Sequence, residues 1–275
     1  EGFSLSVSGM YRYLTCPLSF YYENVLRVPV LISDAAKYGT AMHNALQRLF
    51  EKMLESKDKK FPEAAELVRL FEYEMVKRAA FFPPKEYERR LEMGRQNLTE
   101  YYLKHASHWP GKVKVELNIR NVEVEGVPIT GTIDRLEFLE QQKVNIVDYK
   151  TGRPDPSRLS RPTSKNPYGG QYWRQLMFYK ILFESTEQNA HTVQSGCISY
   201  LEPDKDGQYQ DKTADYQADD LEMVKDLIKE TYNNIMAHNF YEGCNEPNCK
   251  WCQFVKDNQL TDSFSDPEIE ALDDK

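Results

Sequence analysis

The 275-residue chain carries 35 Lys and Arg against 43 Asp and Glu, a formal net charge of −8 that excludes indiscriminate coating of nucleic acid. Fields act locally within a Debye length, so a basic groove remains compatible with that balance. With 40% hydrophobic and 28% charged residues, and no apolar run long enough to span a bilayer, the composition is that of an ordinary soluble globular protein.

The length fits one large domain, or a domain with an added lobe. The opening EGFSLSVSGM lacks the basic-then-apolar layout of a signal peptide, which makes a cytoplasmic location the expectation. It also lacks an initiator Met, and a piece of a longer chain is expected. Ser6 and Ser8 are candidate caps for a Tyr- and Leu-rich helical segment over 6–28 that carries Cys16. In KYGTAMHNALQRLFEKML (37–54), Met42, Leu46, Leu49, Phe50 and Met53 fall at helical spacings and predict an amphipathic helix with Thr40 as N-cap. Residues 55–110 are charged and helical in pattern, interrupted at Pro62 and at Pro83-Pro84, and read as a helical insertion.

From Val113 the hydrophobic period changes to two. VKVELNIR, VPITGTIDRLEFLE and KVNIVDYK predict three consecutive strands joined by short turns at Glu125-Gly126 and Gln141-Gln142. An Arg-, Pro- and Gly-rich loop (152–170) precedes a helix over 171–184 and a strand over 193–202. An acidic loop and a helix around 217–239 then lead into a cysteine cluster over 240–258. The acidic tail from Thr261 is expected to be disordered or an appendage. There is no internal repeat, and the element order predicts a mixed α/β sheet.

The third strand ends in Asp148 and Lys150, two residues apart and so on one side of the sheet. Asp-x-Lys alone carries nothing, since Glu55-Ser56-Lys57 and Asp58-Lys59-Lys60 repeat the pattern in a solvated region. What distinguishes Asp148 is Asp134 on the preceding strand, because an antiparallel pair can bring the two carboxylates to one point. Two oxygen ligands completed by water and a substrate phosphate suit Mg²⁺, and an adjacent lysine suits a nucleophilic water or phosphate charge. A surface ion pair worth under about 1 kcal/mol is the equal alternative. His43 reads as a ligand or a packed core histidine, and Gln175 with Tyr179 as one functional helix face or the core edge. Glu116 reads as a third carboxylate or an exposed strand residue.

Together these residues resemble the PD-(D/E)XK nuclease superfamily, in its RecB-like branch of helicase-associated, AddB-type exonuclease domains. The pattern there is G-x-x-x-H on a helix, G-x-x-D-R on a strand, D-Y-K-T-G on the next and Q-x-x-x-Y on the following helix. Here it is met by Gly39 to His43, Gly131 to Asp134-Arg135, Asp148 to Gly152, and Gln175 to Tyr179, and the resemblance spans about residues 5–258. It implies a restriction-endonuclease-like α/β fold, a mixed β-sheet core flanked by helices. One domain over 1–260 would hold the 55–110 insertion and the C-terminal cysteine segment packed with the chain around Cys16, followed by the tail at 261–275. The resemblance also implies that His43, Asp134, Asp148 and the Tyr149 carbonyl hold Mg²⁺ or Mn²⁺. Lys150 would handle the nucleophilic water, and Gln175 and Tyr179 would support the site and contact DNA. A competing register, Gln171 with Gln175, leaves Tyr179 without its partner.

The run from Lys150 to Lys180 carries Arg153, Arg158, Arg161, Lys165 and Arg174 against Asp155 alone, interleaved with Tyr168, Tyr172 and Trp173. Such a segment is expected to bind phosphates and stack unpaired bases, with a solvated loop over 158–165 as the alternative. Of the five cysteines, Cys244, Cys249 and Cys252 crowd together near the C-terminus, which in a reducing compartment points to metal. Three thiolates need a fourth ligand, and Cys16 is the candidate. RecB-like nucleases with an iron–sulfur cluster take one cysteine before the core and three after it, as C-x₂-C-x₅-C. Here Cys249 and Cys252 fit that pattern, Asn258 stands at its last position, and Cys244 is the replacement. The expectation ranks [4Fe–4S] ahead of Zn²⁺ and both ahead of free thiols, with Cys197 a buried core residue.

The resulting expectation is a metal-dependent DNA exonuclease that cleaves phosphodiesters with metal-activated water. It would act on single strands or duplex ends, away from membranes, beside a helicase subunit or domain in DNA repair and recombination. The alternatives are an inactive nucleic-acid-binding module stabilised by a metal cluster, and a purely structural metal-binding protein.

Overall fold

In the computed structural model, which describes residues 2–187 and 189–260, the tail expected from Thr261 lies outside the described residues. The chain runs through β1 (Leu5–Ser6), α1 (Val7–Thr15), α2 (Pro17–Phe20), a π turn (Tyr21–Val25), α3 (Asp34–Glu55), α4 (Ala64–Val76) and α5 (Pro84–His105). Then come β2 (Val113–Val124), β3 (Val127–Phe138), β4 (Lys143–Lys150), α6 (Gln171–Glu184), β5 (Thr192–Tyr200), β6 (Asp211–Ala214), α7 (Ala218–Met236) and α8 (Lys250–Asp257). Two compact units result, one from residues up to 30 and from 226 on, the other from residues 31–225.

In the 31–225 unit, β2–β3–β4–β5–β6 form a mixed sheet, antiparallel except where β4 runs parallel to β5. Two tight hairpins set the antiparallel part. Glu125 and Gly126 at φ 52° and 79°, and Gln141 and Gln142 at φ 55° and 57°, take the paired left-handed conformations that match strand twist. Arg135 pairs with Val147, and one more step of that register sets Asp134 opposite Asp148. A parallel pair needs a crossover, and α6 supplies it between β4 and β5. The fold is therefore the expected mixed α/β sheet flanked by helices. β6 is additional: DKTA is too short and polar to announce a strand, and it is recruited by pairing with β5.

Helix α3 starts earlier than the apolar period suggests. Ser33 accepts the Ala36 N–H at 3.2 Å and is the N-cap, whereas Thr40 sits inside the helix and donates its hydroxyl to the Ala36 carbonyl at 3.0 Å. A cap is a local hydrogen bond that hydrophobic periodicity does not register. Met42, Leu46, Leu49, Phe50 and Met53 are all fully buried, as their spacing predicts. Residues 55–110 fold as α4 and α5, which pack against α3 around Tyr38, Phe71, Leu98 and Tyr101. Gly94 on α5 meets Phe71 so closely that an added Cβ would stand 2.1 Å from the ring. Gly94→Ala is therefore expected to cost about 1–3 kcal/mol by overpacking, read as a thermal midpoint roughly 5 °C lower.

The other unit carries α1, α2, the π turn and α8. Ser6 caps α1 by accepting the Gly9 N–H at 3.0 Å. Tyr22 stacks on Trp251 at 4.4 Å, and the Trp251 indole donates to Glu23 at 2.8 Å, so the N-terminal segment and α8 share one small core with Cys16. Among the described residues, no helix is long and apolar enough to cross a membrane.

Candidate active site and cysteine centre

The C-terminal end of β4 brings Asp148 and Lys150 together, with Lys150 Nζ 2.7 Å from Asp148 Oδ2. This is no surface pair, since Asp148 is 2% exposed. Apart from this ion pair, Asp148 Oδ2 is a buried oxygen with no hydrogen-bond partner among the described residues. The other oxygen, Oδ1, accepts the Gln175 amide at 2.8 Å, and the same Gln175 nitrogen lies 3.0 Å from the Tyr179 hydroxyl. One turn of α6 thus carries both supporting side chains, and it is Gln175, not Gln171, that reaches Asp148. Asp134 Oδ2 accepts the Tyr149 backbone N–H at 2.8 Å and lies 3.3 Å from His43 Nδ1. Tyr149 itself is buried, held by the Arg135 guanidinium on its hydroxyl at 2.6 Å. The look-alike Asp58 and Lys60, by contrast, are exposed at 58% and 80%.

Burial and charge push the two carboxylates in opposite directions. Burial raises Asp148, Lys150 lowers it and Asp134 raises it again, leaving its carboxyl pushed up to about 6. Asp134 is also buried, but the neighbouring His43 and the Tyr149 N–H hold it below the ordinary value. For His43, burial pulls downward and Asp134 more than reverses it. Lys150 is likewise pulled down by burial and raised on balance by Asp148. Carboxylates split in this way characterise sites that manage charge.

Glu116 is the residue whose conformation the sequence did not signal. It stands in β2 between pairs Val115–Arg135 and Leu117–Ile133, opposite Asp134, yet adopts φ 46°. It is half-buried, and burial first, then the charge of Asp134, holds its carboxyl above the usual range. Gly39 has a different role. A Cβ there would stand 3.0 Å from Thr151 Oγ1, so the missing side chain lets α3 approach the end of the DYKTG segment one turn before His43.

The basic, aromatic segment divides. Arg153, Arg158, Arg161, Lys165 and Tyr168 are exposed, as a phosphate-binding loop requires. Trp173, expected to stack bases, is 1% exposed and belongs to the core. Arg174 and Lys180 are also buried; Lys180 pairs with Glu184 at 2.5 Å, and Arg174 donates to the Tyr168 carbonyl at 2.9 Å. Helix α6 is covered nearly all round, so its aromatic residues support the sheet.

In the terminal unit Cys16 meets Cys244, Cys249 and Cys252. Cys16 Sγ lies 3.7 Å from Cys252 and 3.8 Å from Cys249, and Cys244 lies 3.8 Å from Cys252. Among the described residues, these are the one set of three or more potential metal-ligating atoms all within 4.8 Å of one another. Cys249 is lowered to about 6: burial pushes it up, and the Cys252 N–H and Ser19 hydroxyl outweigh that. Cys252 is pushed up to about 12, by burial and then by its sulfur neighbours. Without a cation, such a ring favours one thiolate over several. Cys197 belongs to the 31–225 unit, packed against its core, its thiol raised by burial.

Residues 4–256 match the family model of the PD-(D/E)XK nuclease superfamily. No curated protein matches the chain. A crystal structure of a candidate exonuclease from Eubacterium rectale superposes with a TM-score of 0.54 at 12% identity, covering 91% of this chain and 87% of that one, a likeness of fold alone. The crystal structure of SSO0001 aligns at a TM-score of 0.35 and 18% identity, over 77% of this chain and 94% of that one.

Proposed function

Because the chain belongs to the PD-(D/E)XK nuclease superfamily, we propose that it hydrolyses phosphodiester bonds of DNA, as an exonuclease, at the site around Asp134, Asp148 and Lys150. The observation that carries this reading is the buried Asp148–Lys150 pair with Asp134 across the strand register. Members of the superfamily use divalent metals. Asp148 Oδ2, buried without a hydrogen bond, fits a hard cation, and with Asp134, His43 and the Tyr149 carbonyl it would hold Mg²⁺ or Mn²⁺. Such an ion supplies Lewis acidity to water and to the phosphate.

The chain's own groups do the rest. Gln175, backed by Tyr179, fixes Asp148 through Oδ1 and leaves Oδ2 to Lys150 and the cation. Lys150 places an ammonium beside the reacting oxygens, where it orients water and offsets developing phosphate charge. Tyr149 N–H holds Asp134 in position. Burial of Asp148 gives the site a pH limit. Its carboxyl titrates near 6, and only the ionised form holds a cation. His43, raised by Asp134, must also lose its proton to ligate, so at fixed subsaturating Mg²⁺ kcat/KM is expected to rise with pH through both titrations and to flatten only above that of His43. A profile flat from pH 5 to 8 would contradict this assignment.

The exonuclease reading is supported by the motif set and by the description of the Eubacterium rectale protein with the same fold. The finer placement, a RecB-like, AddB-type domain working with a helicase in repair, rests on the ordered motifs alone. At the cysteine centre the sulfur spacing supports a single ion. Four thiolates around one Zn²⁺ at about 2.3 Å stand about 3.8 Å apart. In a [4Fe–4S] cluster each thiolate binds a different iron, and the sulfurs spread well beyond that spacing. We therefore place Zn²⁺ ahead of the cluster that the resemblance implies.

The deciding experiment is digestion of end-labelled linear DNA, single-stranded and duplex, with Mg²⁺ or Mn²⁺, beside a circular single strand. Release of short labelled products from linear DNA with the circle intact is expected. Absence of metal-dependent cleavage of every substrate would sink the proposal.

A further inference from the structure

A cavity of about 380 Å³ in the 31–225 unit is bordered by β2, β3, α6 and the segment after it. Lys114, Asn118 and Arg120 of β2 line it, with Phe138, Phe183 and His191. Among the described residues, no carboxylate does. Lys112 stands beside it, its ammonium 5.3 Å from the Phe138 ring, and His191 packs edge-on to that ring at 5.2 Å. Lys112, Lys114 and Arg120 are exposed, and none has a carboxylate partner among the described residues, in a chain whose acids outnumber its bases. Arg120 donates only Nε, to Asn118 at 2.9 Å.

A cationic rim around an aromatic and aliphatic lining complements a ligand that is anionic at one end and flat and apolar at the other, which describes a nucleotide. Location narrows the choice. Lys114 and Asn118 each lie two residues, or about 7 Å, along β2 from Glu116, which stands opposite Asp134. A strand with a phosphate at the reaction centre therefore reaches this cavity within a few nucleotides.

We propose that the cavity holds the single strand of DNA flanking the cleaved phosphodiester, with Lys114 and Arg120 on its phosphates and Phe138 against a base. This deepens the DNA-hydrolase reading and rests on it. The test is binding of a fluorescein-labelled oligothymidylate to the whole chain in buffer without added divalent cation or chelator, by anisotropy across a salt series, so that no hydrolysis enters and the cysteine centre keeps its ion. Lys114→Glu/Arg120→Glu is expected to weaken binding tenfold or more. Lys114→Gln/Arg120→Gln is expected to weaken it less and to flatten the log K against log salt slope by about 1.4, two contacts at about 0.7 each. The neutral pair, checked by circular dichroism, guards against a folding defect in the charge-reversed one. Lys57→Glu, an exposed lysine without an ion pair among the described residues, should change neither quantity. Thymidine monophosphate, added as competitor, separates a strand site from a free-nucleotide site. If both double variants bind oligothymidylate with wild-type affinity and slope, the proposal is overturned, even if they lose the mononucleotide. Wild-type binding without cleavage in Mg²⁺ would instead defeat the hydrolase reading and leave the cavity's role standing.

Discussion

Asp148→Ala is expected to lower kcat/KM for DNA hydrolysis by about 10³-fold or more, and Lys150→Ala by about 10²–10³-fold, with the fold intact in both. The larger effect belongs to Asp148 because its buried Oδ2, whose one close partner is the Lys150 ammonium, is the oxygen proposed to hold the cation. Lys150 acts beside it by charge, and water or added ammonium ions replace part of that. The double variant should be little worse than Asp148→Ala alone, since residues that act as a unit do not add. Stability should change little: Asp148→Ala relieves a carboxylate disfavoured by burial and leaves Lys150, 20% exposed, able to reach water. Single-turnover digestion measures the rates and thermal melting the fold. Equal rates for wild type and both variants, at equal melting temperature, would remove these residues from the chemistry.

Loss of the cysteine centre is expected to be the largest stability effect in the molecule. Protein purified without oxygen should contain about one Zn²⁺ per chain and be colourless. Cys249→Ser should lose the ion and lower the melting temperature by roughly 10 °C or more, since structural Zn²⁺ contributes on the order of 10 kcal/mol in small zinc domains. Cys16→Ser should do the same from the other end of the sequence. Cys197→Ser should keep the ion, because that thiol packs against the sheet core of the other unit. About four irons per chain with visible absorbance would overturn the single-ion assignment. A metal-free wild type of unchanged stability would overturn the centre altogether.

The sequence was most informative where geometry is periodic or short-range. The bounds of α6, the three strands of the meander and the buried stripe of α3 follow from apolar spacing. The approach of Asp134 to Asp148 follows from two-residue alternation and a two-residue turn, which together leave one register that buries the right face. Other features depend on what covers an element, which periodicity does not report. Trp173 looked available for stacking because aromatic residues lie on every side of α6, yet that same property marks a helix enclosed on all faces. The left-handed Glu116 has no signal at all, since glutamate is an ordinary strand-surface residue and nothing nearby is glycine. The spacing of the four sulfurs was equally hidden, because C-x-x-C suits a lone ion or a cluster.

The contact between Gly39 and Thr151 gives the motif letters a mechanical sense. Gly39 lies four residues before His43, and Thr151 three after Asp148, so the two outlying letters leave no room for a side chain between them while the two chemical ones are those proposed to share a cation. The glycine acts as a spacer: its single hydrogen sets how far the imidazole stands from the strand. A methyl in its place would wedge α3 outward by a few tenths of an ångström, a displacement the core would absorb and a coordination sphere would not.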